Sequence, residues 1–348
     1  MEDVFLEEEF LEEAFLDFSG KDRSLWITWH EHRRTRSLVE HLRVPVAVYD
    51  DHRTLPRYTV GPAWTLGTLL RHRPNVVFTH FSYGLLLFIL IYKHVFRLGR
   101  VKVIADCHNK ALKRRMGGPL GGLFAWFKRA VFRSVDLIVV TNPMVVPVAR
   151  ELCERVTILR DPLTDWQGED QRARAKAGAV DGHILFICSF DKDEPVDLIF
   201  ATAQEAARRL GRRVVISGRA PEHLVPEAVR RDENIVLPGF MPLQQYKETL
   251  FLAAAVVVLT EDDDCLVCGA YESLGADRPT VLSATPGLQA CFGSAAHYCR
   301  HSSREIVDRL AEAMAQEPAE EDARRRFQAA WGQEWQAFTA RLREVTAG

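Results

Sequence analysis

The strongest constraint on the fold is an alternation between short runs rich in Val and Ile and longer stretches of helical periodicity. Strands of a parallel sheet covered on both faces are apolar throughout, and a helix joins each to the next. Six such runs occupy the first half, at Leu25–Trp29, Val46–Tyr49, Val76–Thr79, Val101–Ala105, Leu137–Thr141 and Val156–Leu159. Six more follow, at Ile184–Cys188, Arg213–Ser217, Ile235–Leu237, Val256–Thr260, Thr280–Ser283 and His297–Cys299. The pattern predicts two doubly wound α/β domains, with ligands bound where the strands end.

The alternation stops at a polar segment, Asp161–Asp181, which has little apolar content and is typical of a linker. The chain of 348 residues is also longer than a single core normally supports. We therefore predict an acidic segment, an N-terminal Rossmann-like domain, a linker, a C-terminal Rossmann-like domain and a helical segment. Their ranges are 1–20, 21–162, 163–181, 182–316 and 317–348.

Composition excludes several classes of protein. A formal net charge of -2 argues against a dedicated nucleic-acid-binding protein, which carries a basic excess. Met1–Phe18 is acidic, unlike a secretion signal, and the longest apolar run, Gly84–Tyr92, is about half of a membrane span. We expect a cytoplasmic protein without a transmembrane helix.

The cysteines include one C-x-x-C pair, Cys265 and Cys268. No second Cys or His pair follows at zinc spacing, and the surrounding sequence is not thioredoxin-like. We therefore interpret the pair as packed thiols rather than as a metal or redox site.

An acidic segment directly follows the apolar run that ends at Leu259. It reads Thr-Glu-Asp-Asp-Asp-Cys-Leu-Val-Cys-Gly-Ala-Tyr-Glu-Ser over residues 260–273 and predicts a turn followed by a helix over Leu266–Leu274. The N-terminus of that helix offers free N–H groups and a positive dipole end, which suit a diphosphate. A strand with Pro279 before it follows the helix.

Together with this strand, the segment resembles the acidic signature of GT-B glycosyltransferases of the retaining group 1, or family 4-like, type. In that signature two acids are separated by seven residues, as Asp264 and Glu272 are. The resemblance implies an α/β GT-B fold, with two Rossmann-like domains facing a central cleft. It also implies that Glu272 accepts hydrogen bonds from the ribose of the nucleotide and that Asp264 lies near the donor sugar. Cys268 and Gly269, at the helix start, belong to the same donor site.

The consecutive acids Asp262–Asp264 also permit a D-x-D metal motif, the signature of the other common glycosyltransferase fold. That fold has one domain, whereas this chain contains two similar halves. We therefore expect a nucleotide diphosphate sugar as donor substrate, with no cofactor and no metal.

Further turns complete the predicted donor site. Cys188–Pro195 resembles the Phe-x-x-Asp-Glu-Pro or Thr-x-Asp-Glu-Asp turn of bacterial glycosyltransferases and of chitobiosyldiphosphodolichol beta-mannosyltransferase, where the turn lines the diphosphate. Many relatives hold the diphosphate with an Arg and a Lys. Here the turn offers Lys192, and Arg219 is the substitute for the Arg. The turn 237–242 resembles the loop beside the base. From these turns we assign to the donor site Ser189, Lys192, Gly218, Arg219, Gly239 and Phe240.

In the first half, Asp106-Cys107-His108-Asn109 ends a strand, where a doubly wound sheet presents catalytic groups. The string resembles the Asp-Trp-His-Asn of dolichol-linked mannosyltransferases. This implies that His108, with Asp106, contacts the reacting sugar or the acceptor. Histidine titrates near neutrality and can act as acid, base or hydrogen-bond donor. We predict His108, Asp106 and Asp264 as catalytic residues.

The first strand-to-helix turn is charged, where many relatives have a Gly-rich loop. This turn can bind an anionic acceptor such as a lipid diphosphate, or it can form the solvent-exposed basic start of a helix. Glu31 and His32 are both candidates for a catalytic base. The predicted acceptor-binding residues are His30, Glu31, His32, Arg33, Arg34 and Arg36.

Residues 110–133 contain seven basic residues and no acid, with aromatic residues between them. Such a helix binds anionic headgroups, although a core-facing helix with a solvated basic edge is the alternative. We expect peripheral attachment to the inner face of the membrane through Lys113, Arg114, Arg115, Trp126, Lys128 and Arg129.

These features predict transfer of a hexose from a nucleotide diphosphate sugar to a lipid-linked or polysaccharide-precursor acceptor. The expected partners are the nucleotide sugar, a lipid-linked or glycan acceptor and an anionic membrane surface, but no nucleic acid. Two alternatives stay open. One is a sugar-nucleotide epimerase or hydrolase of the same architecture. The other is a non-catalytic nucleotide-sugar-binding interaction protein, which the missing Arg and Lys pair would suit.

Overall fold

The computed structural model of the chain describes residues 23–30, 33–49, 53–107, 112–113, 117–118, 120–161, 182–315 and 317–347. The chain forms two compact units, made of residues 1–162 with 332–348 and of residues 163–331. Each unit contains one six-stranded sheet whose strands pair in parallel. The predicted acidic segment 1–20 and linker 163–181 lie outside the described residues.

The sheet of the N-terminal unit has the spatial order β2-β1-β3-β4-β5-β6. Its strands are β1 (Ser24–Thr28), β2 (Val46–Val48), β3 (Val76–His80), β4 (Lys102–Cys107), β5 (Leu137–Val140) and β6 (Val156–Ile158). From β1 the chain first adds β2 on one side and then β3 on the other. A topological switch point therefore lies between the ends of β1 and β3.

Helices cover both faces of this sheet. They are α1 (Arg33–Leu42), α2 (Thr54–His72), α3 (Tyr83–Ile91), α4 (Gly121–Arg133) and α5 (Val146–Leu152). Helix α3 continues as a π-helical turn, Tyr92–Phe96, and a 3-10 turn, Pro143–Val145, precedes α5. Helices α2 to α5 share one core with the odd-numbered side chains of β1, β3 and β4. On the other face, Leu38 and Leu42 of α1 lie against Trp26 and Phe78.

The sheet of the C-terminal unit has the spatial order β12-β11-β10-β7-β8-β9. Its strands are β7 (His183–Phe186), β8 (Val214–Ile216), β9 (Ile235–Val236), β10 (Ala253–Val258), β11 (Thr280–Ser283) and β12 (His297–Cys299). Strands β8 and β9 are added on one side of β7, and β10 to β12 on the other. The switch point of this sheet therefore lies between β7 and β10.

The helices of this unit alternate with its strands. They are α6 (Val196–Leu210), α7 (Glu227–Arg230), α8 (Leu243–Phe251), α9 (Cys268–Gly275), α10 (Pro286–Phe292) and α11 (Ser303–Ala315), with 3-10 turns at Glu222–Leu224 and Gly293–Ala295. Two cores result, one on each face of the sheet. Phe186 lies in the first and Leu185 in the second, as the alternation of side chains along a strand requires.

The chain ends in one helix of 30 residues, α12 (Pro318–Ala347). Near its start, Phe327 packs against Phe292 in the C-terminal unit. Farther along, Trp335 and Phe338 are buried in the N-terminal unit, where Phe338 lies beside Trp26. The boundary between the two units thus falls inside a helix, because successive turns bury their apolar side chains in different cores.

All twelve predicted strands are confirmed, with small differences at their ends. The largest difference is in β10, which begins at Ala253 rather than at Val256. Alanine has a weak intrinsic preference for strands. Pairing with β7, through a register shift between Ala253 and Ala255, draws these residues into the sheet.

The buried aromatic side chain of β7 supplies a test of the C-terminal core. Phe186 is 1% exposed and Phe240 is 79% exposed. We expect Phe186→Ala to lower the free energy of unfolding by about 3–5 kcal/mol, because it leaves a cavity, and Phe240→Ala to change it by less than about 0.5 kcal/mol. Urea unfolding followed by circular dichroism measures both. Equal effects would contradict the assigned burial.

Candidate functional site

The carboxyl ends of the C-terminal strands bring together the turns that the sequence assigned to a donor. Residues Cys188–Glu194 follow β7, Ser217–Arg219 follow β8, and Thr260–Val267 follow β10. Because all the strands are parallel, these turns share one edge of the sheet. Strands β7 and β10 flank the switch point, which is where open α/β sheets bind ligands.

The turn after β7 is held by its own carboxylate. Glu194 accepts hydrogen bonds from the backbone N–H groups of Ser189, at 3.0 Å, and Asp191, at 2.9 Å. The Cys188 thiol also donates to Glu194, at 3.3 Å. Burial raises the pKa of this thiol, and the nearby Glu194 charge adds to the shift, so the thiol stays protonated and can donate. Phe190 has a φ of +61°, which lets consecutive N–H groups converge on the carboxylate.

A second set of hydrogen bonds ties this turn to the turn after β10. Thr260 is fully buried, and its hydroxyl donates to Asp193 Oδ2 at 3.0 Å. The Thr260 N–H donates to Ser283 Oγ at 2.9 Å, and the Glu261 N–H donates to the Asp193 carbonyl oxygen at 2.6 Å. The two turns on either side of the switch point are therefore fixed relative to each other.

The acidic loop continues this network. The Asp262 N–H donates to Thr260 Oγ1 at 3.2 Å, and the Asp264 N–H donates to Asp262 Oδ1 at 3.0 Å. Asp264 is half-buried and lies in the loop before α9, not within that helix. Its backbone is nevertheless held in place from the strand end.

Helix α9 begins at Cys268, two residues later than the sequence predicted. It packs closely against the sheet. A Cβ on Gly269 would lie 2.9 Å from Ile187 Cγ2, so glycine permits the close approach. Glu272 is 4% exposed and accepts a hydrogen bond from the hydroxyl of Tyr246 on α8. A buried carboxylate is costly unless it is hydrogen-bonded, and Tyr246 both stabilises and orients this one.

Two glycines shape the edge beyond β8. Gly218 has a φ of +87°, and a Cβ there would lie 2.1 Å from the carbonyl oxygen of Cys188. Gly218 also forms an isolated antiparallel bridge with Gly239, whose φ is +72°. Next to these glycines, Arg219 and Phe240 are exposed, as is Lys192 in the turn after β7. The two predicted cations thus stand at the carboxyl edge with their side chains in solvent.

The packed-thiol prediction is wrong for Cys268, which is exposed at the first residue of α9, whereas Cys265 is half-buried. Among the described residues, no group of three or more His, Cys, Asp or Glu side chains has the arrangement of a metal site.

In the N-terminal unit, the predicted catalytic and acceptor residues include an internal ion pair. The Nε atom of Arg34 lies 3.0 Å from both carboxylate oxygens of Asp106, and both side chains are buried. Arg34 also binds Asp161 at 2.6 Å and the Leu159 carbonyl oxygen at 2.9 Å. Burial alone would lower the pKa of Arg34, but Asp106 and Asp161 raise it above its usual value. His80 Nδ1 lies 3.6 Å from Asp106.

The other predicted acceptor and catalytic residues are only partly described. His30 is half-buried and Arg36 is exposed, and the His30 carbonyl oxygen accepts a hydrogen bond from Thr28 Oγ1 at 2.8 Å. The structure describes Arg33 only as the first residue of α1. Glu31, His32 and His108 lie outside the described residues.

Of the predicted membrane residues, Lys113, Trp126 and Arg129 are exposed. Lys128 donates a hydrogen bond to the Leu112 carbonyl oxygen. Arg114 and Arg115 lie outside the described residues. Within the part of the chain that is described, no helix combines the length and hydropathy needed to span a bilayer.

The sequence predicted no role for three residues that hold the donor edge together, namely Glu194, Thr260 and Tyr246. Glu194 does carry a sequence signal, since it is the Glu of the turn 188–195 that resembles Phe-x-x-Asp-Glu-Pro. No sequence signal pairs Tyr246 with Glu272, since α8 and α9 meet only in the folded domain.

No family model matches the chain, and no curated protein matches it by sequence. Solved structures do match. HepE from Anabaena, in complex with UDP and glucose, has a TM-score of 0.61 at 11% identity, over 94% of this chain and 99% of HepE. A glycosyltransferase from Rickettsia africae has a TM-score of 0.64 at 7% identity, over 92% and 89%. A putative UDP-N-acetylglucosamine 2-epimerase from Listeria monocytogenes has a TM-score of 0.58 at 8% identity, over 87% and 91%. The chain therefore has the GT-B fold, as the sequence predicted.

The glycine after β8 provides a test of the donor edge. We expect Gly211→Ala to lower the free energy of unfolding by about 1–3 kcal/mol. Gly218→Ala should lower it by more. Both positions have positive φ, +87° and +61°, but a Cβ at Gly211 meets open space, whereas at Gly218 it meets the Cys188 carbonyl group. Urea unfolding of both variants separates the effect of backbone strain from that of the steric clash with the Cys188 carbonyl group. Similar decreases in the free energy of unfolding would mean that the turn after β7 moves to accommodate the added Cβ at position 218 at no energetic cost.

Proposed function

We propose that the protein is a glycosyltransferase that moves a hexose from a nucleotide diphosphate sugar to a lipid-linked or polysaccharide-precursor acceptor at the cytoplasmic face of a membrane. The observation that carries the proposal is the buried Glu272 carboxylate on the helix that follows the switch-point loop. The GT-B fold, shared with a structure that holds UDP and glucose, supports the donor class.

In this proposal the C-terminal unit binds the donor. Glu272, oriented by Tyr246, accepts hydrogen bonds from the ribose hydroxyls. The N-terminus of α9, with Cys268 and Gly269, faces the diphosphate, and the positive end of the helix dipole there favours negative charge. Lys192 and Arg219 add positive charge at the same edge, where an arginine can bind two phosphate oxygens at once. Ser189 shapes the turn after β7 and Gly218 the turn after β8. Gly239 and Phe240 contact the base.

The reaction breaks the bond between the anomeric carbon of the hexose and the phosphate oxygen of the donor. A bond from that carbon to an acceptor oxygen forms, and the nucleoside diphosphate leaves with the negative charge. The acceptor hydroxyl passes its proton to a catalytic base, for which His108, Glu31 and His32 are the candidates. Asp264, held by the Asp262 side chain, stands beside the donor sugar in this scheme. The cations and the helix N-terminus stabilise the leaving group electrostatically.

The N-terminal unit binds the acceptor in this proposal. His108 follows the last residue of β4 and contacts the acceptor hydroxyl as acid, base or hydrogen-bond donor. Asp106 orients the end of β4 through its ion pair with Arg34. His30, Glu31, His32, Arg33 and Arg36 form the acceptor turn after β1, and the basic surface of α4 faces the anionic membrane.

An epimerase or hydrolase that acts on the nucleotide sugar is the second candidate, and the likeness to the putative 2-epimerase favours it. Incubation of the protein with a nucleotide sugar in the absence of any acceptor distinguishes the two, because a transferase then leaves the donor largely intact. Rapid epimerisation or hydrolysis would support the second candidate.

The ribose carboxylate is testable by calorimetric titration with UDP-, GDP- and dTDP-sugars. We expect one nucleotide class to bind, and Glu272→Gln to weaken its binding by about 10–100-fold, because the variant loses charge-assisted hydrogen bonds. Glu233→Gln is the control, since Glu233 is exposed beside the start of β9, at the opposite edge of the sheet. Binding by no nucleotide sugar, with the wild-type protein folded, would refute the donor assignment and favour a non-catalytic interaction protein.

Metal independence is a separate prediction. Because the leaving group is stabilised by cations and the helix N-terminus, turnover should persist in excess EDTA. Complete loss of turnover that manganese restores would overturn this part of the proposal and revive the D-x-D interpretation.

A further inference from the structure

A large part of the N-terminal unit has almost no acidic residues. Between Arg53 and Val135 the sequence contains fifteen Lys and Arg residues and a single acid, Asp106, although the whole chain has a net charge of -2. The Asp106 carboxylate is buried against Arg34, and Lys93 is buried in an ion pair with Asp136, so neither contributes to the surface charge of the segment. The chain therefore concentrates positive charge on one segment, which points to an anionic partner.

The fold places this segment on one side of the N-terminal sheet. Its helices are α2, α3 and α4, which share one core against the sheet. Helix α2 packs against α3, and α3 packs against α4. Helices that follow strands of a parallel sheet all run antiparallel to the strands, so these three form a side-by-side layer. Exposed cations border it, among them Arg53, Arg71, Arg100, Lys113 and Arg129.

The same layer exposes most of the large apolar side chains that face solvent. Among the described residues, eleven of sixteen exposed large hydrophobic side chains lie between Arg53 and Val135. They include Tyr58 on α2, Phe96 and Leu98 just after α3, and Leu123 and Trp126 on α4. Large exposed apolar patches mark interaction surfaces, whereas scattered single residues do not.

The turn after α3 presents its apolar side chains at a conformational cost. Leu98 is 79% exposed and has a φ of +50°, a region that glycine adopts far more readily than leucine. Val95 and Phe96, in the π-helical turn before it, are also exposed. Neither burial within the chain nor backbone preference accounts for a leucine at this position, and an exposed apolar side chain on a strained backbone is a feature typical of functional surfaces.

We propose that the outer side of the α2–α3–α4 layer binds the interface of an anionic phospholipid bilayer, with Phe96, Leu98, Leu123 and Trp126 entering the apolar boundary. The positive charge complements anionic headgroups, and Trp and Tyr favour the boundary between headgroups and acyl chains. A surface spread over three adjacent helices suits a bilayer rather than a peptide groove. This inference rests on the proposed function for its acceptor and extends the contact well beyond α4.

The surface also leads toward the acceptor residues. Tyr58 contacts Trp29, with ring centroids 5.9 Å apart, and Trp29 directly follows β1. The next residue, His30, belongs to the proposed acceptor turn. An acceptor anchored in the bilayer by its lipid would therefore present its polar head at the carboxyl edge of the N-terminal sheet.

Flotation of the full chain with vesicles tests the surface. We expect it to float with phosphatidylcholine vesicles that contain phosphatidylglycerol, weakly with phosphatidylcholine alone, and less at high salt. The double variants Phe96→Ser with Leu98→Ser and Leu123→Ser with Trp126→Ser should each weaken binding by about tenfold or more, because apolar area is lost from the contact. The control is Leu224→Ser with Leu243→Ser, since Leu243 and Leu123 are both 62% exposed.

The outcomes separate this inference from the proposed function. Equal losses in the control pair, no flotation with anionic vesicles, or binding of duplex DNA or RNA instead of vesicles would each overturn the surface. Thermal unfolding of every variant checks that the exposed substitutions leave the fold intact. Titration with nucleotide sugars, run in parallel, tests the donor site alone. Flotation without nucleotide-sugar binding would refute the transferase while supporting the membrane surface.

Discussion

The candidate donor site depends on one local constraint, the hydrogen bonding of Thr260 at the end of β10. Its hydroxyl and N–H groups join Asp193 from the turn after β7 to Ser283 at the end of β11. Each of these elements reaches the same edge because the sheet is parallel. The loop that carries Asp264 and leads to Glu272 therefore starts at a residue that is held in place, Thr260. In this way a rigid sheet positions side chains that lie on the turns.

Buried charge serves two purposes in this chain. Arg34 and Asp106 are both buried and neutralise each other, with Asp161 and the Leu159 carbonyl group completing the contacts of the arginine. Such a pair adds little net stability, yet removing one partner leaves a costly unpaired charge, so it fixes how β4 and α1 meet. Glu272 is buried and accepts a hydrogen bond from the neutral hydroxyl of Tyr246, and in the proposed function it also accepts hydrogen bonds from the ligand.

Much of the candidate site could be predicted because strand ends are visible as the points where an apolar run meets polar residues. That rule located Asp106, Asp264 and the turns at Ser189 and Gly218. It failed where distant elements decide the environment of a side chain. The sequence predicts that Arg34 binds the acceptor, with a solvent-exposed helix start as the alternative, but the fold buries it between two carboxylates. Cys268 resembled a packed thiol, but it stands at an exposed helix start.

By itself, the sequence determined the number of strands and the division into two α/β units, because strand and helix periodicities are local properties of the chain. It also determined the positive charge of residues 53–135, which depends on composition alone. Only the tertiary structure decided which residues meet. The strand order places β10 beside β7, and the packing of α8 and α9 gives Glu272 its tyrosine partner. The assembly of α2, α3 and α4 into one layer brings their charges and exposed apolar side chains to the same side of the sheet. Contacts between residues far apart in sequence depend on the fold as a whole, so the local periodicity of the sequence does not predict them.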